Sequence, residues 1–260
     1  MKVGICTSID NASVLAKSAF DYLEENVQGF LVPEAPEADF APRLQAAKRA
    51  ALPVLAANCF LPAALKCTGP EVNPERLTQY AETAFRRAQE AGIRTIVFGS
   101  GGSRQIPEGF DREQARDQFL SCVRRIAPLA ERYGVMIVIE PLNKKECNFI
   151  NSLAEGAAMV AADHTHLRLL ADIYHMLVEQ ESPDEIIKYG RWIQHVHVAE
   201  REGRMAPGTK GEDFGPYLRA LKKIDYRGAI SFECGWKQFP EEAAASLNEF
   251  RRQVSEAGLA

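Results

Sequence analysis

The sequence predicts an α/β protein, a single (β/α)8 TIM barrel spanning residues 1–260. Three observations carry that expectation. Strand-like and helix-like segments alternate from end to end, eight of each, with no linker or low-complexity tract between them. Such alternation argues for a parallel sheet covered by helices, and eight units suit a closed barrel of this length. Four successive late strands end on side chains that can bind a metal, at the rim where barrel chemistry concentrates. The competing open, doubly wound sheet usually carries a glycine-rich turn after its first strand, and here only Thr7-Ser-Ile-Asp10 follows Cys6.

The elements read as follows. Val3 to Cys6 is the first strand, and Ala12 to Glu25 has helical spacing, with Leu15, Ala16, Ala19, Phe20 and Leu23 on one face. Gly29-Phe-Leu-Val32 reads as the second strand, closed by Pro33 and Glu34, and Phe40 to Ala51 as a helix. Pro53 to Ala56 opens the third strand, which runs toward Cys59 and Phe60. Asn73 and Pro74 suit the cap and first position of a helix that runs to Gly92. Arg94 to Phe98 is the fourth strand, followed by Gly99-Ser-Gly-Gly-Ser103. Asp111 to Tyr133 is helical, and Gly134 stops it. The β-branched run Val135-Met-Ile-Val-Ile-Glu140 then delivers a carboxylate, and Pro141 ends the strand. Ser152 to Ala162 is a helix, Leu167 to Asp172 a strand, and Ser182-Pro-Asp-Glu185 a helix start. Trp192 to His197, a helix over Phe214 to Ile224, the strand Gly228 to Glu233 and an amphipathic helix over Glu241 to Val254 complete the chain.

Composition narrows the function. With 46% hydrophobic residues the chain can bury one large core. The net charge of -4 and a pI of about 5.8 offer no basic stripe, so nucleic acid is not an expected partner. No apolar run reaches the roughly 20 residues that span a bilayer, and no signal peptide is visible. Six scattered cysteines, without a Cys-x-x-Cys pair, read as free thiols, and the expected compartment is the cytoplasm.

In a barrel, Glu140, Asp172, His197 and Glu233 would face one another across the mouth. Any one of them alone reads as a salt bridge or a cap. Four at equivalent positions in four successive units favour a divalent cation, because three carboxylates repel unless a positive charge sits among them. One nitrogen and three oxygen donors suit manganese, cobalt, magnesium or zinc. His175 sits just past Asp172, where it could bond a substrate oxygen. His195 points the same way as His197 but deeper, as a packed histidine or a partner of the ligands. His164 and His166 precede a strand and read as surface residues. Glu146 and Arg204 lie in loops above the mouth, and by spacing alone they are solvated charges. Gly99-Ser-Gly-Gly102 lacks the lysine of a phosphate loop, so it is a weak phosphate signal.

These tips resemble the sugar isomerase and epimerase superfamily with a xylose-isomerase-like barrel, nearest to ketose 3-epimerases of the tagatose and psicose type. The resemblance rests on Glu140-Pro-Leu-Asn-Lys-Lys-Glu146, Asp172-Ile-Tyr-His175-Met176, His195-Val-His197, Arg204-Met-Ala-Pro-Gly208 and Glu233. It is specific from about Gly134 to Glu233. It implies one divalent ion, with manganese favoured, on Glu140, Asp172, His197 and Glu233. It implies Glu140 and Glu233 as the acid/base pair, and substrate contacts by Glu146, His175 and Arg204. An extra residue between His197 and Arg204 makes Arg201 a competitor, and Cys147-Asn-Phe149 departs from the family pattern.

The expected function is that of a metal-dependent ketose epimerase or isomerase. One glutamate removes a proton next to a carbonyl, a metal-stabilised enediolate forms, and the other glutamate returns a proton. The alternative is a metal-dependent dehydratase or lyase of a keto-sugar or inosose-type substrate. A related abasic-site endonuclease would need more histidines than the five present. A barrel that only binds would not need two opposed carboxylates. The expected partner is a small sugar or keto-sugar, with no nucleic acid and no membrane. The resemblance is compatible with a homo-oligomer.

Overall fold

Eight short segments with apolar residues on both faces close into one sheet in the computed structural model, which describes residues 1–161 and 166–259. They are β1 (Lys2–Cys6), β2 (Tyr22–Asn26), β3 (Val54–Asn58), β4 (Thr95–Phe98), β5 (Met136–Ile139), β6 (Leu167–Asp172), β7 (Ile193–Val198) and β8 (Ala229–Phe232). Each pairs in parallel with its sequence neighbour, and β8 pairs with β1. The expected barrel is therefore the observed one.

The helices are α1 (Ala12–Leu15), α2 (Glu37–Arg49), α3 (Pro74–Ala91), α4 (Gly101–Arg104), α5 (Arg112–Arg132), α6 (Leu153–Val160), α7 (Ile173–Val178), α8 (Asp184–Tyr189), α9 (Gly215–Lys223) and α10 (Ala243–Glu256). Their ends follow local chemistry. Asn73 caps α3 through its side chain, Pro74 takes the first turn, and Gly92 closes the helix at a φ of 85°. Asp111 and Ser152 cap α5 and α6 in the same way.

The main correction concerns the second strand. It is Tyr22–Asn26, where the helical spacing of Ala12 to Glu25 predicts a helix, and only Ala12–Leu15 of that stretch is α-helical. The apolar run at Gly29 to Val32 belongs to a widened helical turn, Val27–Leu31, instead of a strand. Its apolar side chains, Val27, Phe30 and Leu31, are buried. The carbonyls at its end and just beyond it are satisfied from outside the sheet, because the buried Arg87 donates to the oxygens of Leu31, Val32 and Ala35. Hydrophobicity thus predicted burial there correctly but not backbone conformation. His164 lies outside the described residues.

Strand alternation sends one set of side chains outward to the helices and the other into the barrel. Val97, Val138 and Leu170 form a small apolar cluster apart from the main core. Beside it the interior is polar. The Tyr22 hydroxyl meets Ser231 Oγ at 2.6 Å, and Ser231 Oγ donates to Glu24 Oε2 at 2.6 Å. A Cβ at Gly4 would lie 2.2 Å from the Tyr22 ring, so glycine makes room for that ring. No helix among the described residues is long and apolar enough to cross a membrane.

Candidate metal centre and its mouth

The inward positions next along these strands are Glu140, Asp172, His197 and Glu233, from the C-terminal ends of β5, β6, β7 and β8. The tertiary structure brings all four together, with one donor atom from each within 4.8 Å of the others. His197 Nδ1 lies 3.3 Å from Glu140 Oε1, 3.4 Å from Glu233 Oε2 and 4.0 Å from Asp172 Oδ2. Asp172, Glu140 and His197 are buried, while Glu233 is partly open to the mouth. A Cβ at Gly99 would lie 2.1 Å from Glu140 Oε2, so the glycine after β4 leaves the carboxylate its place.

The electrostatics of the cluster follow from its burial and its neighbours. Burial, the largest influence, pushes Glu140 up, and the charge on Glu233 pushes it further. Burial also favours neutral Glu233 and Asp172, but nearby cations outweigh it and hold both low. For Glu233 these are His197 and Arg204, and for Asp172 they are His175, Arg204 and His197. His197 is held well above the usual imidazole range, because Glu24, Glu233 and Glu140 overcome its burial. The raised His197 and the lowered Glu233 and Asp172 mark a cluster that attracts positive charge. A divalent cation would supply such charge, and one imidazole nitrogen with three carboxylates is a donor set that fits one.

Glu24, which the sequence analysis hid inside a helix, holds this histidine. Its Oε1 lies 2.8 Å from His197 Nε2 and its Oε2 lies 2.8 Å from His195 Nε2. Both imidazoles hold Glu24 well below the usual carboxylate range in spite of its burial. With Nε2 engaged by Glu24, Nδ1 of His197 is left facing the other three donors. His195 is thus a buried partner of Glu24 and does not enter the cluster. Cys6, Glu24 and His197 also lie within metal-binding reach of one another. Both Glu24 oxygens are already committed to hydrogen bonds, so the geometry there reads as orientation of His197. Asn58, at the tip of β3, donates from Nδ2 to Glu233 Oε1 at 2.9 Å. An acidic residue two positions after Tyr22 and an asparagine closing a β-rich run were the only signals for these two.

The segments that follow β5, β6 and β7 place Glu146, His175 and Arg204 around the mouth, His175 on α7. Arg204 Nη2 bonds Glu233 Oε2 and lies 3.8 Å from Asp172 Oδ2, and Nη1 lies 3.4 Å from Glu146 Oε1. Its guanidinium sits over the Tyr174 ring at 4.6 Å. Arg201, the competing residue, is exposed, and its backbone N–H turns to Glu212. The loop that aims Arg204 folds around buried Glu200, whose carboxylate accepts from the amides of Gly208, Lys210, Gly211 and Glu212. Arg204 itself takes a φ of 53°, a left-handed value that costs a non-glycine residue energy.

His175 is buried, and its Nδ1 accepts from the backbone of Asn143 at 3.2 Å. Its Nε2 lies 3.5 Å from Asp172 Oδ2 and is buried without a hydrogen bond among the described residues. Asn143 Nδ2 also donates to Glu146 Oε1 at 2.8 Å. The divergent Cys147-Asn-Phe149 segment faces away from this mouth. Asn148 exchanges hydrogen bonds with the backbone of Ile106, and Phe149 packs edge-on against Phe119. Arg104, fully buried, donates to the carbonyl of Glu140 at 2.7 Å and to that of Phe98 at 3.2 Å, tying the ends of β4 and β5 together.

Comparisons with known proteins agree with this architecture. The chain is 33% identical over 150 residues to L-ribulose 3-epimerase of Methylomonas sp. (strain DH-1), covering 53% of this chain and 52% of that protein. It is 30% identical over 125 residues to 3-dehydro-D-guloside 4-epimerase of Escherichia coli (strain K12), covering 47% and 46%. The matches thus span about half the length of these curated relatives. Among solved structures, D-psicose 3-epimerase with D-tagatose from Clostridium cellulolyticum H10 superposes with a TM-score of 0.84 at 21% identity, over 98% of this chain and 99% of that one. The apo form of 3-keto-D-glucoside 4-epimerase from E. coli gives 0.81 at 21% identity, over 97% and 99%. Both likenesses show the fold. The family model described as xylose isomerase-like TIM barrel matches residues 13–254, and the chain belongs to that family.

Proposed function

We propose that the protein is a divalent-metal-dependent epimerase of a ketose or keto-sugar. The observation that carries this reading is the convergence of Glu140, Asp172, His197 and Glu233, with two glutamates reaching the cluster from strands separated by β6 and β7. The relatives named as sugar epimerases support it. A divalent ion on these four residues, with manganese favoured, would supply positive charge to a substrate carbonyl and so acidify the neighbouring C–H.

The chain's own groups account for the rest. Glu140 and Glu233 are the acid/base pair, one taking the proton beside the carbonyl and the other returning one to the opposite face of that carbon. His175 Nε2, which makes no hydrogen bond among the described residues, is the donor to a substrate oxygen. Arg204 and Glu146, already paired, hold hydroxyl groups at the mouth, and Arg204 with Tyr174 screens the reacting carbon from water. Glu24 keeps Nδ1 of His197 turned toward the ion.

The test is deuterium uptake from heavy water into a panel of ketoses and keto-sugars, followed by NMR with manganese or with a chelator. The expected result is uptake at one carbon that the chelator abolishes, with inverted product accumulating. Uptake that ends at a neighbouring carbon would make the enzyme an aldose-ketose isomerase. Loss of a β-hydroxyl, or no uptake despite bound metal, would replace the epimerase reading with the lyase one.

A further inference from the structure

The turn Gly99-Ser-Gly-Gly-Ser-Arg104 after β4 is closed on itself by its last amides. Those of Ser103 and Arg104 bond the carbonyl of Ser100, and that of Gln105 bonds the carbonyl of Gly101. One side of the turn is anchored to the loop after β3. Ser100 Oγ accepts from the Leu61 amide at 2.9 Å, Ser103 Oγ donates to the Leu65 carbonyl at 2.5 Å, and the Cys67 amide donates to the Ser103 carbonyl at 3.0 Å.

The other side ends on Arg104, one of the largest fully buried side chains. Among the described residues its guanidinium bonds backbone carbonyls alone: Glu140 at 2.7 Å, Phe98 at 3.2 Å and Ile150 at 3.5 Å. Its Nε has no partner there, and no carboxylate among the described residues forms an ion pair with it. A buried guanidinium without a counter-ion is costly to desolvate, and an apolar side chain could fill the same space. An apolar side chain could not donate from one planar group to three chain segments.

Those segments are the end of β4, the tip of β5 at Glu140, and Ile150. Ile150 takes a φ of 62°, rare for a β-branched residue, and its carbonyl also accepts the Leu142 amide at 3.1 Å. It thereby closes the loop that carries Asn143 and Glu146. The glycines of the turn complete the fit. Gly99 leaves room for the Glu140 carboxylate, and a Cβ at Gly101 would lie 3.0 Å from the carbonyl oxygen of Glu146.

Building on the epimerase reading, we propose that the Gly99–Arg104 turn is the template that positions Glu140 and Glu146. Arg104 is the positioning residue for Glu140 and for the base of the loop, and Gly101 sets how closely the loop approaches at Glu146.

The two contacts should give different losses. Arg104→Met, of similar length but without donors, should weaken manganese binding about tenfold by calorimetry. It should also lower kcat for deuterium exchange about 10–100-fold at saturating metal, because small displacements of a reacting group are costly. Arg104→Lys, which keeps the charge but not the planar fork, should fall between that variant and the parent. Gly101→Ala should raise KM about 3–10-fold with manganese affinity within about twofold of the parent. Thermal melts give the folded fraction, and each quantity is taken per folded molecule. A lowered Tm with parental metal affinity, kcat and KM would reduce the turn to a stabilising element and overturn the inference. Equal losses of metal affinity and KM in Gly101→Ala would overturn it as well. If Arg104→Met does not fold, Arg104→Lys bears the same comparison. Metal affinity is read without substrate, which separates the two ideas. Weakened metal binding in the Arg104 variants, with no exchange by the parent on any keto-sugar, removes the epimerase reading and leaves the template. Exchange by the parent that the Arg104 variants match removes the template and leaves the epimerase.

Discussion

The two halves of the barrel differ in what they bring to the mouth. Strands β5–β8 supply Glu140, Asp172, His197 and Glu233, each on a strand tip and each within reach of the others. Strands β2 and β3 supply Glu24 and Asn58, which bond His197 and Glu233. On the proposed reading, one half holds the groups that react and the other orients them. A closed sheet makes that division possible, because residues at one height on distant strands become neighbours across the barrel.

The largest effect should come from the reacting half. Glu233→Gln and Glu140→Gln should each lower deuterium exchange by about 10²–10⁴-fold, measured by NMR, while the melting curve shows a folded protein. If either variant kept exchange within a few-fold of the parent, the acid/base pair would be misassigned. Next, Glu24→Gln probes whether the first half works through the second. It should weaken manganese binding by about 10–100-fold by calorimetry, with exchange largely restored at saturating metal. A variant that bound metal normally yet stayed inactive would give Glu24 a direct part in the chemistry. His175→Ala should lower kcat/KM about tenfold or more while leaving metal affinity within a few-fold, since it removes a donor to substrate and no ligand. Loss of metal affinity instead would place His175 in the metal site.

The smallest effect tests a carboxylate outside both sets. Burial pushes Glu181, which accepts from the amide of Leu153, from an ordinary 4.5 up to about 7. Its folded value lies above its unfolded one, so the folded state binds the extra proton between those two values. Stability from this group is therefore present at low pH and lost as pH rises toward 7. Glu181→Gln should leave stability unchanged at pH 4 and raise it by on the order of 1 kcal/mol at pH 8, by denaturant titration, the solvent exposure of the group keeping the gain small.

The sequence by itself determined the fold class, because strand-like apolar runs alternating with amphipathic helical segments from end to end suit a parallel sheet closed into a barrel. It also determined the four tip residues, since each sits at the end of its own run and period-two alternation fixes its side. Tyr22–Asn26 was illegible because its pattern, Tyr-Leu-Glu-Glu-Asn, has no polar-apolar alternation to mark a strand whose Glu24 side chain is buried inside the barrel. Burying a glutamate costs too much to expect from local pattern. It becomes favourable only when His195 and His197 arrive from a strand some 170 residues away to share its charge. The choice of Arg204 over Arg201 was likewise tertiary, set by the loop wrapped on Glu200. Local pattern fixes which face of an element is apolar, whereas the placing of a buried charge depends on partners distant in the chain.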